Sequence, residues 1–241
     1  MHLSIIIPAF NEERLIERCL ESISASLVVN VGADFTSEVI VVDNNSTDST
    51  ANLARQAGAQ VVFEPINQIG RARNVGAAQA TGDWLLFLDA DSLLNPGLLA
   101  DILRVILVGK SVGCGCSLHM PGLPWWGNWT LQLWMGASML FHWASGALLV
   151  CRSDAFRDIG GFTQELYAAE EIRLSKHLKR WGRERNLQFN ILTQHPLETS
   201  ARKVTLYSAR EIAGQILRVI LHPRRTLQDK KQLSVWYDGR R

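Results

Sequence analysis

Three apolar runs, each ending in a polar loop that leads into a helix-patterned segment, restrict this chain more than any other feature. Leu3, Ile5, Ile6 and Ile7 precede Pro8; Val39, Ile40, Val41 and Val42 precede Asp43; Trp84, Leu85, Leu86, Phe87 and Leu88 precede Asp89. A strand with one wet face alternates apolar and polar side chains, so runs that are apolar almost throughout must be covered on both faces. After the first run, Leu15, Ile16, Cys19, Leu20 and Ile23 recur at helical spacing. The pattern then predicts a short helix over 49–57 ended by Gly58, a strand over 61–63, and a helix over 69–80 closed by Gly82. This alternation predicts an α/β fold, a mixed and mostly parallel sheet with helices on both faces. Ligands on such sheets bind beyond the C-terminal ends of the strands, so residues 8–12, 43–46 and 89–91 are expected to converge on one crevice.

The second half is less regular. It predicts a strand over 111–119, a Trp-rich stretch over 123–143, a strand over 147–151, an amphipathic segment over 168–181, a strand over 189–193 and a last helix over 207–221 stopped by Pro223. Pro96 opens a helix, and Gly160-Gly161 follow a short one. No linker or repeat divides the chain, and 241 residues at 47% hydrophobic and 20% charged suffice for one large core. Disorder is excluded as a default. A net charge of +2 has no polyanion signature, so nucleic acid is not an expected partner. Cys19, Cys114, Cys116 and Cys151 lack the paired spacing of a zinc site. Reduced thiols in a cytoplasmic protein account for them, and the strand-like start shows no leader pattern.

Asp89 and Asp91 place two carboxylates at the end of a buried strand. Oxygen donors there suit a hard cation, Mg²⁺ or Mn²⁺, that keeps coordination positions for substrate phosphates. The competing use of an Asp-x-Asp is a turn or a helix cap. Asp43 and Asn44 carry the same ambiguity, because Asx side chains also bond their own loop backbone.

Five blocks in order, IIIPAFNEE, IVVDNNSTDST, GRARNVGAAQATGDWLLFLDAD, SGALLVCRSDAFRDIGGF and AEEIRLSKHLKRWG, resemble a family-2 inverting glycosyltransferase of the GT-A fold. The resemblance implies a GT-A domain over 1–205, with a nucleotide-binding half over 1–92 and an acceptor-side half over 93–205. Residues 206–241 would form a C-terminal helix and a basic, membrane-facing tail. It implies that Pro8, Phe10, Glu12 and Asp43 hold the nucleotide, with Asp43 accepting from the base. Relatives often carry two acids there, so Asn44 shares the base-reading position. Arg73 offsets phosphate charge. Asp91 becomes the principal metal ligand, and Asp89 reaches the ribose or the metal through water. Glu171 is the implied general base with Glu170 second, where the family commonly has Glu-Asp. Ser145-Gly146-Ala147 and Gly160-Gly161-Phe162 frame the donor sugar and the acceptor. The implied partners are a nucleoside diphosphate sugar and a hydroxyl acceptor, lipid-linked or part of a cell-envelope glycan. Outside this set, Arg71 is expected to face water, Arg202-Lys203 to be a solvated pair, and His195 to be structural.

A sugar-phosphate nucleotidyltransferase shares a related sheet, but needs a Gly-rich loop with a basic residue after the first strand, which PAFNEE lacks. A non-catalytic, membrane-associated scaffold that binds nucleotide sugar stays open, because Glu stands where an Asp base is common. Trp125, Trp126, Trp129, Trp134 and Trp143, with Met135, Met139 and Phe141, make a stretch of low polarity. The strand over 147–151 leaves too little apolar length for a full span. The stretch therefore reads as an interfacial helix or a buried acceptor-side helix, and Arg224, Arg225, Lys230 and Lys231 favour peripheral membrane contact. The closing VWYDGRR folds over the cleft or docks the C-terminus.

Overall fold

The computed structural model describes residues 1–30 and 35–233, apart from the side chains of 203, 220 and 224. The expectations for the closing VWYDGRR and for the Lys203 and Arg224 side chains lie outside the described residues. Eight strands are β1 (His2–Ala9), β2 (Thr36–Asp43), β3 (Gln60–Phe63), β4 (Trp84–Leu88), β5 (Ser92–Leu93), β6 (Ser111–His119), β7 (Leu148–Arg152) and β8 (Gln188–Thr199). The helices are α1 (Ile16–Asn30), α2 (Thr50–Gln56), α3 (Ile69–Gln79), α4 (Pro96–Val108), α5 (Trp125–Phe141), α6 (Ser153–Asp158), α7 (Glu170–Arg183), α8 (Arg202–Thr205), α9 (Ala209–Leu221) and α10 (Pro223–Gln228). One sheet holds all the strands in the order β3-β2-β1-β4-β7-β6-β8-β5. The first four pair in parallel; β7 runs antiparallel to both β4 and β6, and β5 antiparallel to β8.

Continuous apolar strands are explained by two cores, one on each face. Leu3, Ile5 and Ile7 of β1 pack with Ile16 and Leu20 of α1 and Leu98 and Ile102 of α4. Ile6, pointing the other way, packs with Ala72 of α3, Phe156 of α6 and Leu174 and Leu178 of α7. Helix α3 lies unusually close to the sheet. A Cβ at Gly76 would collide with Ile6 Cγ2 and stand 2.9 Å from Val42 Cγ2. Helix α4 starts as its residues dictate: Asn95 Oδ1 accepts from the Leu98 N–H at 2.8 Å, Pro96 is at the first position, and Gly109 ends it at φ 70°.

Strand β8 is longer than the apolar run over 189–193 suggested. Its pairing with β6 jumps from Cys116↔Leu192 to Leu118↔Leu197, so His195 and Pro196 fall in an irregularity where proline's missing N–H breaks no ladder bond. The strand then resumes and pairs Thr199 with Ser92. No helix among the described residues is long and apolar enough to cross a membrane.

Candidate active site

Parallel pairing puts the C-terminal ends of β1, β2 and β4 at one edge of the sheet. Ala9 pairs with Asp43, and the Asn44 N–H donates to Ala9 O at 2.8 Å. Pro8 is buried inside β1, while Phe10 is half-buried beyond its end. The loop after β1 is bolted to the segment after β2: Asn11 N donates to Ser46 Oγ at 2.9 Å and Glu12 N to Thr50 Oγ1 at 2.7 Å. Asp43 Oδ1 accepts from the Ser46 N–H, three residues on, at 3.0 Å. Asn44 is spent on structure. Its Nδ2 donates to Glu64 O and Ile66 O at 3.1 and 2.6 Å, and its Oδ1 accepts from Gln68 N at 2.9 Å. Both ends of this amide are engaged in holding residues 64–68 in place.

Arg73 of α3 is 1% exposed. Nη1 donates to Glu170 Oε1 at 2.7 Å, and Nη2 to Asp89 Oδ1 at 2.8 Å and to Gly146 O at 2.7 Å. The guanidinium carbon lies 5.2 Å from the Phe162 ring centroid. One cation thereby joins α3, the end of β4, the 146 loop and the start of α7. Burial opposes its charge, but Asp89, Glu170 and Glu171 outweigh this and hold its pKa above the ordinary arginine value.

The two acids that open α7 have different surroundings. Glu170 is buried and ion-paired with Arg73. Glu171 is half-buried, and its carboxyl faces Gly146: a Cβ there would be 3.8 Å from both Glu171 Cδ and Arg73 Nη2. Burial, reinforced by the adjacent Glu170 charge and more weakly by Asp89, pushes the Glu171 carboxyl up to about 8, and Arg73 offsets only part of this.

Asp91 lines a cavity of about 370 Å³ together with Leu15, Arg18, Thr199, Ser200 and Arg202. The β5–β8 pairing brings Thr199 there, its Oγ1 3.5 Å from Asp91 Oδ1. Asp43 and Glu171 are not part of this lining. The Cys19 thiol of α1 lies within the field of these acids: burial raises its pKa, and the charges of Asp91, Asp89 and Glu12 raise it further. No cluster of three or more His, Cys, Asp or Glu suited to a metal occurs among the described residues. Mg²⁺ and Mn²⁺ at phosphate sites commonly take only one or two carboxylates, with substrate oxygens and water completing the shell. Asp91 in an open cavity fits a cation that arrives with a diphosphate; Asp89, hydrogen-bonded to Arg73, has less to give.

Arg202 is the residue that sequence reading undervalued. Its Nη2 stands 2.7 and 2.9 Å from the two Glu12 oxygens, so Glu12 is held by an arginine that also lines the Asp91 cavity. Only its position just past the last strand hinted at this. Arg71 does not simply face water, since it bonds Gln164 Oε1 at 3.0 Å and lies 3.4 Å from Glu64. His195 Nδ1 is 2.8 Å from Asp101 Oδ2, a structural contact. Asn74 exchanges two hydrogen bonds with the Phe162 backbone, at 2.8 and 2.9 Å, and so pins the 160–162 turn against α3.

Residues 4–155, from β1 into α6, match the family model for Glycosyl transferase family 2. The chain belongs to that family. Similar proteins include an uncharacterized glycosyltransferase of Mycobacterium bovis, 32% identical over 123 residues, 51% of this chain and 52% of that one. Thus the chain spans about half the length of this mycobacterial relative. The glycosyltransferase AglE of Haloferax volcanii is 26% identical over 206 residues, 80% of this chain and 66% of that one. Among solved structures, the mannosyltransferase of Pyrobaculum calidifontis in complex with GDP-Man and Mn²⁺ superposes with a TM-score of 0.68 at 19% identity, over 90% of this chain and 60% of that one. Glucosyl-3-phosphoglycerate synthase of Mycobacterium tuberculosis gives 0.63 at 20% identity, over 97% and 79%. These structural likenesses show a shared GT-A fold. The family match stops short of α7, so Glu170 and Glu171 rest on geometry.

Proposed function

We propose that this protein transfers a sugar, with inversion, from a nucleoside diphosphate sugar to a hydroxyl acceptor, and that Glu171 is the general base. The observation that carries this is the contrast within one charge cluster. Arg73 pairs with Glu170 and Asp89, while burial and the Glu170 charge push the Glu171 carboxyl, which lies against Gly146, up to about 8. A base of that pKa is stronger than an ordinary carboxylate, and its ionised fraction, which takes the proton of the hydroxyl, grows as pH rises toward about 8. In the reaction the acceptor oxygen forms a bond to the anomeric carbon as its proton passes to Glu171. The bond from that carbon to the diphosphate breaks on the opposite face, and the nucleoside diphosphate leaves.

Phe10 and Asp43 would bound the nucleotide, with Asp43 Oδ2 accepting from the base and Pro8 fixing the end of β1. Asp91 would hold a divalent cation, Mn²⁺ or Mg²⁺, which when bound neutralises charge on the diphosphate. Arg202 and Arg18 supply positive charge at the cavity wall. Support for a donor of this class comes from the family match and from the GDP-Man and Mn²⁺ complex of the Pyrobaculum neighbour. We assign 1–205 to the catalytic domain, divided near residue 92 into donor and acceptor halves, and 206–241 to a C-terminal appendage. The acceptor we infer is lipid-linked, met at the cytoplasmic face of a membrane; four unpaired, buried cysteines agree with a reducing compartment.

Titration calorimetry with UDP and GDP, with and without Mn²⁺, tests the donor site: metal-dependent binding of one of them is expected, and none for either sinks the proposal. Donor consumption by wild type and Glu171→Gln tests the base. A loss of about 10²–10⁴-fold in the variant is expected. Equal turnover removes Glu171 from the chemistry, and no turnover in the wild type favours the scaffold reading.

A further inference from the structure

Helix α5 is poorly accounted for by the fold. Between Lys110 and Arg152 the chain contains no Asp, Glu, Lys or Arg, and α5 lies in the middle of that interval. Of its 17 residues only Gly127, Met135 and Ser138 are buried. Trp125 is 77% exposed, Trp129 68%, Leu133 73% and Leu140 73%. At about 100° per residue these four side chains fall within roughly an 80° sector of the helix, opposite the buried residues. A contiguous apolar face of this kind on a soluble surface marks an interaction site.

What covers it is indicated by the neighbouring charges. Helix α7 has no acid from Ile172 to Arg183, but carries Arg173, Lys176, Lys179, Arg180 and Arg183. Two of these cations reach the end of α5. Lys179 Nζ donates to Phe141 O at 2.5 Å, and Lys176 Nζ lies 4.9 Å from the ring centroid of Trp143, which stacks on Phe141. Burial lowers the Lys179 pKa, and the charges of Arg183 and Lys176 lower it further. Tryptophan on one face with lysine and arginine beside it is the chemistry of a bilayer interface, where rings enter the headgroup layer and cations meet lipid phosphates.

We propose that α5 docks this protein on an anionic lipid surface, with Trp125, Trp129, Leu133 and Leu140 entering the headgroup layer and Lys176, Lys179 and Arg183 facing lipid phosphates. The loop before α5 contributes Pro121 and Gly122 to the wall of the Asp91 cavity. Docking through α5 therefore brings that cavity to the membrane surface, where the hydroxyl of a lipid-linked acceptor is found. This rests on the acceptor reading above for its purpose, but its test does not use catalysis.

The full chain, free of donor, is sedimented with phosphatidylcholine vesicles with and without phosphatidylglycerol, at low and high salt. Wild type is expected to pellet with the anionic vesicles and to be released by salt. Trp129→Glu with Leu133→Glu should lower partitioning about tenfold or more, while Lys176→Ala with Arg183→Ala should weaken binding and flatten its salt dependence. Calorimetric binding of UDP or GDP by the α5 double variant, unchanged from wild type, shows that the loss is not unfolding. Vesicle binding by a protein that binds neither nucleotide supports docking while overturning the enzyme reading. Equal partitioning of wild type and the α5 variant overturns the proposal, as does failure to pellet at low salt. It is equally overturned by a wild-type dimer in light scattering that Leu133→Glu splits, since a second copy then covers the face.

Discussion

Adjacent glutamates at the start of α7 show how position inside a charge cluster assigns different work to identical side chains. Glu170 is neutralised by Arg73, whereas Glu171, one residue on, holds its proton up to about pH 8. The value of kcat/KM should therefore rise about tenfold per pH unit well below that value and level off above it, a profile read from initial rates between pH 5 and 9. Stability should move the other way. The folded carboxyl binds its proton more tightly than the unfolded one, so this contribution is full below the ordinary carboxylate range and fades as pH rises toward about 8. Thermal melts should show Glu171→Gln gaining on wild type as pH rises across that window. Arg73 is the opposite case. Arg73→Met leaves Glu170 buried without its cation and should cost about 3–5 kcal/mol in denaturant unfolding. Asp43, Asp89, Asp91 and Glu171 were nameable from spacing and family likeness. The commitment of Asn44 to residues 64–68 and of Arg73 to two carboxylates was not, because a side chain's partners lie far along the chain.

Secondary elements were mostly legible because each carries a local cause. The apolar runs that became β1, β2 and β4 have no polar residue to face water at their centres, and α4 has its Asn, Pro and Gly where caps require them. Elements set by distant pairing escaped: the two-residue β5 exists because Ser92 meets Thr199, and the end of β8 lies beyond a proline that stops a sequence-based reading. The depth of α3 is also tertiary. Gly76 lets that helix approach β1 and β2, and this closeness carries Arg73, one turn earlier, under the site. Gly76→Ala should push the helix outward, costing about 1–3 kcal/mol by chemical denaturation and weakening donor binding through Asp89.

The C-terminal segment closes the molecule over loops that serve the site. Leu227 O accepts from Tyr167 N–H at 2.8 Å, and Lys230 Nζ is 3.4 Å from Asn67 O. One contact restrains the loop that leads into Glu170 and Glu171, and the other restrains the loop held by Asn44. Ending the chain after residue 222 should therefore lower kcat more than it lowers UDP or GDP affinity, and should speed proteolysis within 163–169; unchanged cleavage there would detach the segment from the site. Sequence by itself determined that this chain is a two-faced α/β sheet with acids at its strand ends, because burial on both faces forces apolar runs and leaves polar residues only where strands stop. Only the tertiary structure decided which acids stay available. Arg73 takes up Glu170 and Asp89, Arg202 takes up Glu12, Glu171 lies against Gly146, and Asp91 lines the cavity. The reason is physical: a carboxylate's proton affinity depends on its nearest charge and on how much water reaches it, and both are set by the packing of segments remote in sequence.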